Sequence, residues 1–299
     1  MHPTEGDRFT ASGNSRIPPD AQLNAERLVI NGTYIDHIKE VGPVLVSYRD
    51  ENRPLWVKDY RKQHFVDCLD YLIQMTDTFM AWENKIAKIY SSKPYPGPDN
   101  TNESYLDAYR RTLTLDLAPH GETERSKKEF ANWRSNLQSL RERIPEDDDI
   151  RKAAIALEDT WNNKGVVSML LQLRNEYARK LWFMKKEIYN AFIAVVVTQT
   201  DMWSPHLITN NVFAVDLANL HGRRLARTKD DRLALVPDGT RKGDKVALLA
   251  GGSMPFIIHN DKVPGSSAPR WKLVGSAYVH GVMYGEKWDE DDCYEMEFI

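Results

Sequence analysis

Cysteine is almost missing from this chain: Cys68 and Cys293 are the only two in 299 residues. Two cysteines exclude a disulfide framework and a cysteine-rich zinc site. Long apolar runs are missing too. The longest, Ala191 to Val197 (AFIAVVV), is far short of the roughly 20 residues that cross a bilayer. The opening stretch MHPTEGDRFTASGNSRIPPD has no apolar core of a signal peptide. A cytoplasmic, reducing setting without a membrane is therefore expected. No excess of positive charge exists, since the formal net charge is -3. Nucleic acid is a disfavoured partner on that ground. What remains is an ordinary globular composition, 41% hydrophobic and 28% charged, long enough to bury a sizeable core.

Known chemical signatures are also missing. The eight histidines are scattered and form no HxH, HxxxH or HExxH spacing. The acidic runs at 146 and 289 lack the alternation and glycine of a calcium loop. No nucleophile elbow and no GxxxxGK[ST] phosphate loop occurs. No metal and no cofactor is expected. Cys68 falls on an apolar helical stripe and reads as core.

The hydrophobic period divides the chain. Residues 1–25 are polar and rich in Pro, Gly and Ser, and read as a flexible segment. RLVINGTYIDHI alternates around Asn31-Gly32, which is hairpin chemistry. A helical period follows. Phe65, Cys68, Leu69, Leu72, Thr76, Phe79 and Met80 share one face. Ser92 to Glu103 is a Pro-rich break. A second helix covers Ser104 to Leu117, with Ser104 or Asn102 as its cap. Further helices are expected over about 122–143, from 146 to beyond Trp161, and over 166–202. Beyond about residue 220 the period falls to two, with glycine punctuation. The predicted architecture is α+β: a mainly helical, bundle-like domain over 26–210 with an N-terminal hairpin, then a small β-barrel, SH3-like or similar, over 211–288. An acidic tail, 289–299, carries Glu and Asp against no basic residue.

Three stretches carry a resemblance. GTRKGDKVALLAGGSMPFII and WKLVGSAYVHGVMYGE contain Gly243-Asp244, Gly251-Gly252 with Pro255, and Tyr278-Val279-His280-Gly281 with Met283, Gly285 and Glu286. YLDAYRRTLTLDL contributes Arg110, Arg111, Thr112 and Leu113. ASGNS followed by LVINGTYIDHIKEVG supplies the third. Together they resemble the C-terminal region of fungal heterokaryon incompatibility (HET) domain proteins. The HET domain of that family normally lies ahead of these motifs, and the chain resembles the accessory region without it. The resemblance implies a role in fungal nonself recognition and cell death after fusion.

Several residues admit two readings. His280 with Tyr278 and Glu286 is a candidate acid–base set, or a tie between strand and turn. Arg110 and Arg111 could bind a phosphate or carboxylate ligand, or bridge elements of their own chain, with Asp107 or Asp116 as partners. Gly243, Asp244, Gly251, Gly252, Pro255, Gly281 and Gly285 read as turn residues of the barrel. Arg223, Arg224, Arg227, Lys229, Arg232, Arg241, Lys242 and Lys245 form a basic stretch, expected to be solvated or paired with the chain's own acids. The favoured reading is a non-catalytic module acting through a protein partner, such as a HET-domain protein. The alternative is a stand-alone enzyme or small-molecule binder of specialised metabolism, with a pocket near His280, Tyr278, Arg110 or Arg111.

Overall fold

A computed structural model describes residues 9–13, 15–16, 23–24, 27–45, 65–90, 94–97, 103–116, 127–128, 130–131, 134–135, 138, 220, 222–261 and 269–299. The chain divides into two compact units. One comprises Met1–Leu45, Trp82–Pro119 and Leu220–Ile299; the other comprises Val46–Ala81 and His120–Asn219.

The first unit is built on an 18-residue strand, β2 (Arg27–Val44), preceded by the short β1 (Leu23–Asn24). The remaining strands are β3 (Arg223–Thr228), β4 (Leu233–Pro237), β5 (Lys245–Leu249), β6 (Phe256–Asp261), β7 (Arg270–Ser276), β8 (Tyr278–Val279) and β9 (Tyr294–Phe298). Five of them close a ring: β2 pairs with β5, β5 with β6, β6 with β7, β7 with β9, and β9 with β2. Only the β7–β9 contact in this ring is parallel. The far half of β2, from Ile38 to Val44, leaves the ring and pairs with β3, which carries β4 and β8. The expected barrel is present. The end of the chain enters it as a strand, because Met296 and Phe298 alternate inward while Glu295 and Glu297 do not.

Asn31-Gly32 is not a hairpin turn. Gly32 lies mid-strand, where β9 hands over to β5, and its neighbour Thr33 pairs with Leu248. A Cβ on Gly32 would sit 2.5 Å from the Leu248 carbonyl oxygen and 2.8 Å from Leu249 Cδ2. The glycine is there for close approach of two backbones rather than for a reversal.

Two apolar clusters explain the strand compositions. Ile30, Ala247, Leu249, Ile258, Trp271, Met296 and Phe298 form one; Ile38, Ala226, Ala234, Val236, Val246, Ile257, Val279 and Val282 form the other. β5 and β6 contribute to both. Val246 and Ile257 face one cluster, Ala247 and Ile258 the other. A strand covered on both faces needs a continuous apolar run, which KVALL and FII supply.

Two helices contribute to this unit among the described residues, the first only by its last turns. α1 runs Phe65–Tyr90, and its last turns, from Trp82, belong to the barrel unit. Trp82 is fully buried, lies on Gly42, and donates its indole N–H to the Pro43 carbonyl at 2.8 Å. α2 (Tyr105–Leu113) is capped by Ser104, whose hydroxyl accepts from the Asp107 N–H at 3.1 Å.

In the second unit, Met75, Thr76, Thr78 and Phe79 of α1 are buried, and Phe130 is buried under the Arg134 guanidinium at 5.8 Å. The helical period expected there is seen at Lys127, Lys128, Phe130, Ala131, Arg134, Ser135 and Gln138. The helices expected over 146–202, and the side chain of Cys68, lie outside the described residues.

Candidate functional site

Residues 278 and 280 share one face of a strand end, by the two-residue alternation of extended chain. The Tyr278 hydroxyl meets His280 Nδ1 at 2.9 Å. On its other side His280 Nε2 meets Glu103 Oε2 at 3.0 Å. Glu103 stands immediately before the α2 cap, so the helix start delivers it. Its second oxygen accepts from Arg111 Nη1 at 3.1 Å. Arg111 in turn holds Asp116 bidentately, Nε to Oδ1 at 2.7 Å and Nη2 to Oδ2 at 2.8 Å. One polar chain thus runs Tyr278, His280, Glu103, Arg111, Asp116.

The reversal that returns Asp116 to Arg111 is unusual. Leu115 and Asp116 both take positive φ, 50° and 55°, without a glycine. Asp tolerates that region; a buried Leu does so only when its surroundings hold it. The Asp116 N–H bonds the Arg111 carbonyl at 2.7 Å, closing the loop.

Aromatic rings wall the chain in. Tyr95 lies 5.2 Å from the His280 ring and 5.2 Å from the Tyr105 ring. Its hydroxyl donates to the His280 carbonyl at 3.1 Å and accepts from the Leu233 N–H at 2.9 Å. Phe9 packs edge-on against Tyr278, with ring centroids 6.0 Å apart.

Burial sets the protonation states. It pushes the Tyr278 and Tyr95 phenols well above their ordinary value, so both stay neutral donors. Burial would also raise Glu103. The hydrogen bond and charge of His280, followed by those of Arg111, outweigh it and hold the carboxyl below its ordinary range. An ionised Glu103 only accepts, so Nε2 carries a proton. Nδ1, on the other side of the ring, meets the Tyr278 hydroxyl, which donates to it whenever Nε2 holds the ring's one proton. The bidentate bond to Asp116 raises Arg111 further, and it stays charged.

The sequence candidates are therefore distributed as follows. Tyr278, His280 and Arg111 meet. Glu286 does not join them; its carboxylate accepts the Tyr284 N–H at 2.7 Å on an exposed turn. The carboxylate at His280 is Glu103, 177 positions away, which local reading gave no means of finding. Arg110 is buried and stands 3.9 Å from Asp107. Gly243 and Asp244 occupy the turn before β5. Asp244 accepts the Arg241 N–H at 2.8 Å and holds His259 Nδ1 at 2.6 Å. Pro255 accepts the Ala277 N–H at 2.8 Å. Gly251 and Gly252 lie between β5 and β6, and Gly281 and Gly285 flank the Met283 turn.

Of the basic stretch, Arg223, Arg224, Arg227 and Arg232 are drawn into the unit, while Lys229, Arg241 and Lys242 are exposed. Arg223 reaches the Ser276 carbonyl, and Arg224 those of Gly42, Asp238 and Thr240. Arg227 pairs with Glu40 and Asp231, and Arg232 with Asp230 and Asp36. Burial, with the charges of Glu290, Asp289 and Asp292, raises the Cys293 thiol, the reverse of an activated nucleophile. Among the described residues, no group of three or more metal-ligating side chains gathers, and no helix is long and apolar enough to cross a membrane.

Comparison with known proteins adds the following. Residues 189–297 match the family described as the Het-6 beta-barrel domain. Heterokaryon incompatibility protein 6, OR allele, of Neurospora crassa is 31% identical over 74 residues, which is 25% of this chain and 11% of that protein. The match thus spans about a tenth of the relative's length. No solved structure matches.

Proposed function

We propose that this chain, a heterokaryon-incompatibility-family protein by its C-terminal barrel, is a non-catalytic module that acts in fungal nonself recognition through protein contacts. The observation that carries this reading is the closure of the polar chain at His280. Both imidazole nitrogens, both Glu103 oxygens and both Asp116 oxygens are engaged by other groups of the same chain. A general base must reach a substrate proton. Here the reach of His280 ends on a buried phenol and a carboxylate. Such a chain fixes the approach of residues 103–116 to the end of β8. A HET-domain protein is the partner class proposed, and a cytoplasmic setting goes with it.

The test is co-purification of the full chain with a full-length heterokaryon incompatibility protein, alongside an assay of cell death on fusion. The expected result is that Tyr278→Phe, which deletes only the terminal hydroxyl, keeps both the complex and the response. Turnover of a small molecule by the chain, abolished by Tyr278→Phe in a variant that still folds, would overturn the reading.

A further inference from the structure

Three histidines fall among the described residues, and their ring nitrogens are served differently. His280 has both engaged. His37 is half-buried, and its ring has no carboxylate partner among the described residues. His259, on β6, has one nitrogen held and one open. Asp244 Oδ1 meets its Nδ1 at 2.6 Å, and among the described residues Nε2 has no partner. The Asp244 side chain is 2% exposed and that of His259 43%. The carboxylate is enclosed, while the ring that it holds reaches the surface.

Asp244 is itself fixed from several sides. Its second oxygen accepts the Arg241 N–H at 2.8 Å, its own N–H bonds the Arg241 carbonyl at 3.2 Å, and its carbonyl accepts the Ile38 N–H at 2.8 Å. A carboxylate only accepts, so the proton of the contact with His259 sits on Nδ1. In the singly protonated ring Nε2 is then the nitrogen with the lone pair, and the tautomer cannot change without breaking the bond to Asp244.

Unpaired positive charge stands beside this nitrogen. Lys272 lies opposite His259 in the β6–β7 register, so the two side chains leave one face of the sheet. Arg241 and Lys242 belong to the turn that carries Asp244. All three are exposed, and their side chains have no hydrogen bond or ion pair among the described residues. Of the other acids nearby, Asp238 accepts the Gly239 N–H at 2.6 Å, and Asp261 lies opposite Arg270 in register. A nucleophilic nitrogen of fixed tautomer beside free cations suits an electrophile that carries negative charge.

We propose that His259 Nε2 is a phosphoryl-accepting nitrogen, modified by a small donor of the phosphoramidate or acyl phosphate class. The lone pair of Nε2 attacks phosphorus and forms the N–P bond. The donor's P–N or P–O bond breaks, and its electron pair leaves on ammonia or on the carboxylate. The Nδ1 proton stays in the bond to Asp244, whose charge offsets the positive charge that the ring acquires. The inference goes beyond the proposed function and does not depend on it.

The experiment treats the full chain with phosphoramidate and follows each histidine by mass spectrometry of digests kept out of acid. The expected result is an acid-labile phosphoryl group at His259, formed about tenfold or more faster than at His37. His259→Gln removes it. In Asp244→Asn the amide oxygen can keep the Arg241 N–H while the amide N–H₂ faces Nδ1, which moves the ring proton to Nε2. Labelling of His259 then falls about tenfold or more, in a chain that circular dichroism shows folded. Replacing Arg241, Lys242 and Lys272 together by Gln slows His259 about tenfold and leaves His37 unchanged. Labelling of His259 in the native chain no faster than of His37 overturns the proposal, and so does an unchanged rate in either the folded Asp244→Asn chain or the triple variant. Should Asp244→Asn fail to fold, the native chain and the triple variant decide.

Discussion

His280 and Glu103 meet at 3.0 Å across 177 positions of sequence, the imidazole at the end of β8 and the carboxylate at the entry to α2. Both side chains are nearly enclosed, at 5% and 12% exposure. Glu103 stands two residues ahead of YLDAYRRTLTLDL, so their meeting brings the start of that stretch to the one that holds His280, both among the three that carry the family resemblance. The third, around Ala11 and Ser12, closes on the same strand end through Phe9 and Tyr278.

The depressed carboxyl of Glu103 makes a pH prediction. Its folded-state value lies below the ordinary 4.5, so the stabilisation is present above that value. It is lost as pH falls through the lower, folded-state value. Urea midpoints measured across the acid range should fall more steeply for the native chain than for Glu103→Gln. The variant itself should be weaker at neutral pH by about 1–3 kcal/mol, since His280 and Arg111 lose an ionised acceptor. Parallel pH curves would remove Glu103 from this role.

Gly32→Ala should destabilise the barrel unit by about 1–3 kcal/mol, because the new methyl's nearest neighbour is the Leu248 backbone carbonyl, which cannot step aside as a side chain can. Asn31→Ala, next to it on an exposed side chain, should be close to neutral. If Asn31-Gly32 were a turn, both substitutions would matter. Chemical denaturation of the two variants decides between the arrangements.

Trp82→Phe keeps most of the ring and deletes the indole N–H that serves the Pro43 carbonyl. A loss of about 1 kcal/mol is expected from the bond, with a further packing term from the smaller ring. Hydrogen exchange should quicken where β2 meets β3, the stretch beside Pro43.

Asp244→Ala leaves the Arg241 N–H without its acceptor and frees His259. The expected cost is about 1–3 kcal/mol. Asp244→Asn retains an acceptor for the backbone N–H and should recover part of that loss. Chemical denaturation of both variants beside the native chain checks that order.

Local chemistry made much of this protein readable in advance. The two-residue period announced β3 through β7, because alternation and turn residues act over a handful of positions. Ser104 announced its helix, since a cap needs only its own first turn. Tyr278 and His280 were readable as neighbours, because residues two apart on a strand share a face. Contacts across long separations were decided elsewhere. Gly32 looks like a turn until β5 is laid against it. Glu103 looks like the end of a proline-rich break until the barrel presents His280. Residues 9–13 look like a polar lead-in until two glycine turns offer their carbonyls. The acidic run hides a closing strand, whose inward Met296 and Phe298 matter only once a ring exists to be completed. Each depends on which distant backbone arrives opposite. That is set by closure of the ring and the burial of two apolar clusters, neither of which is a property of any short stretch of chain.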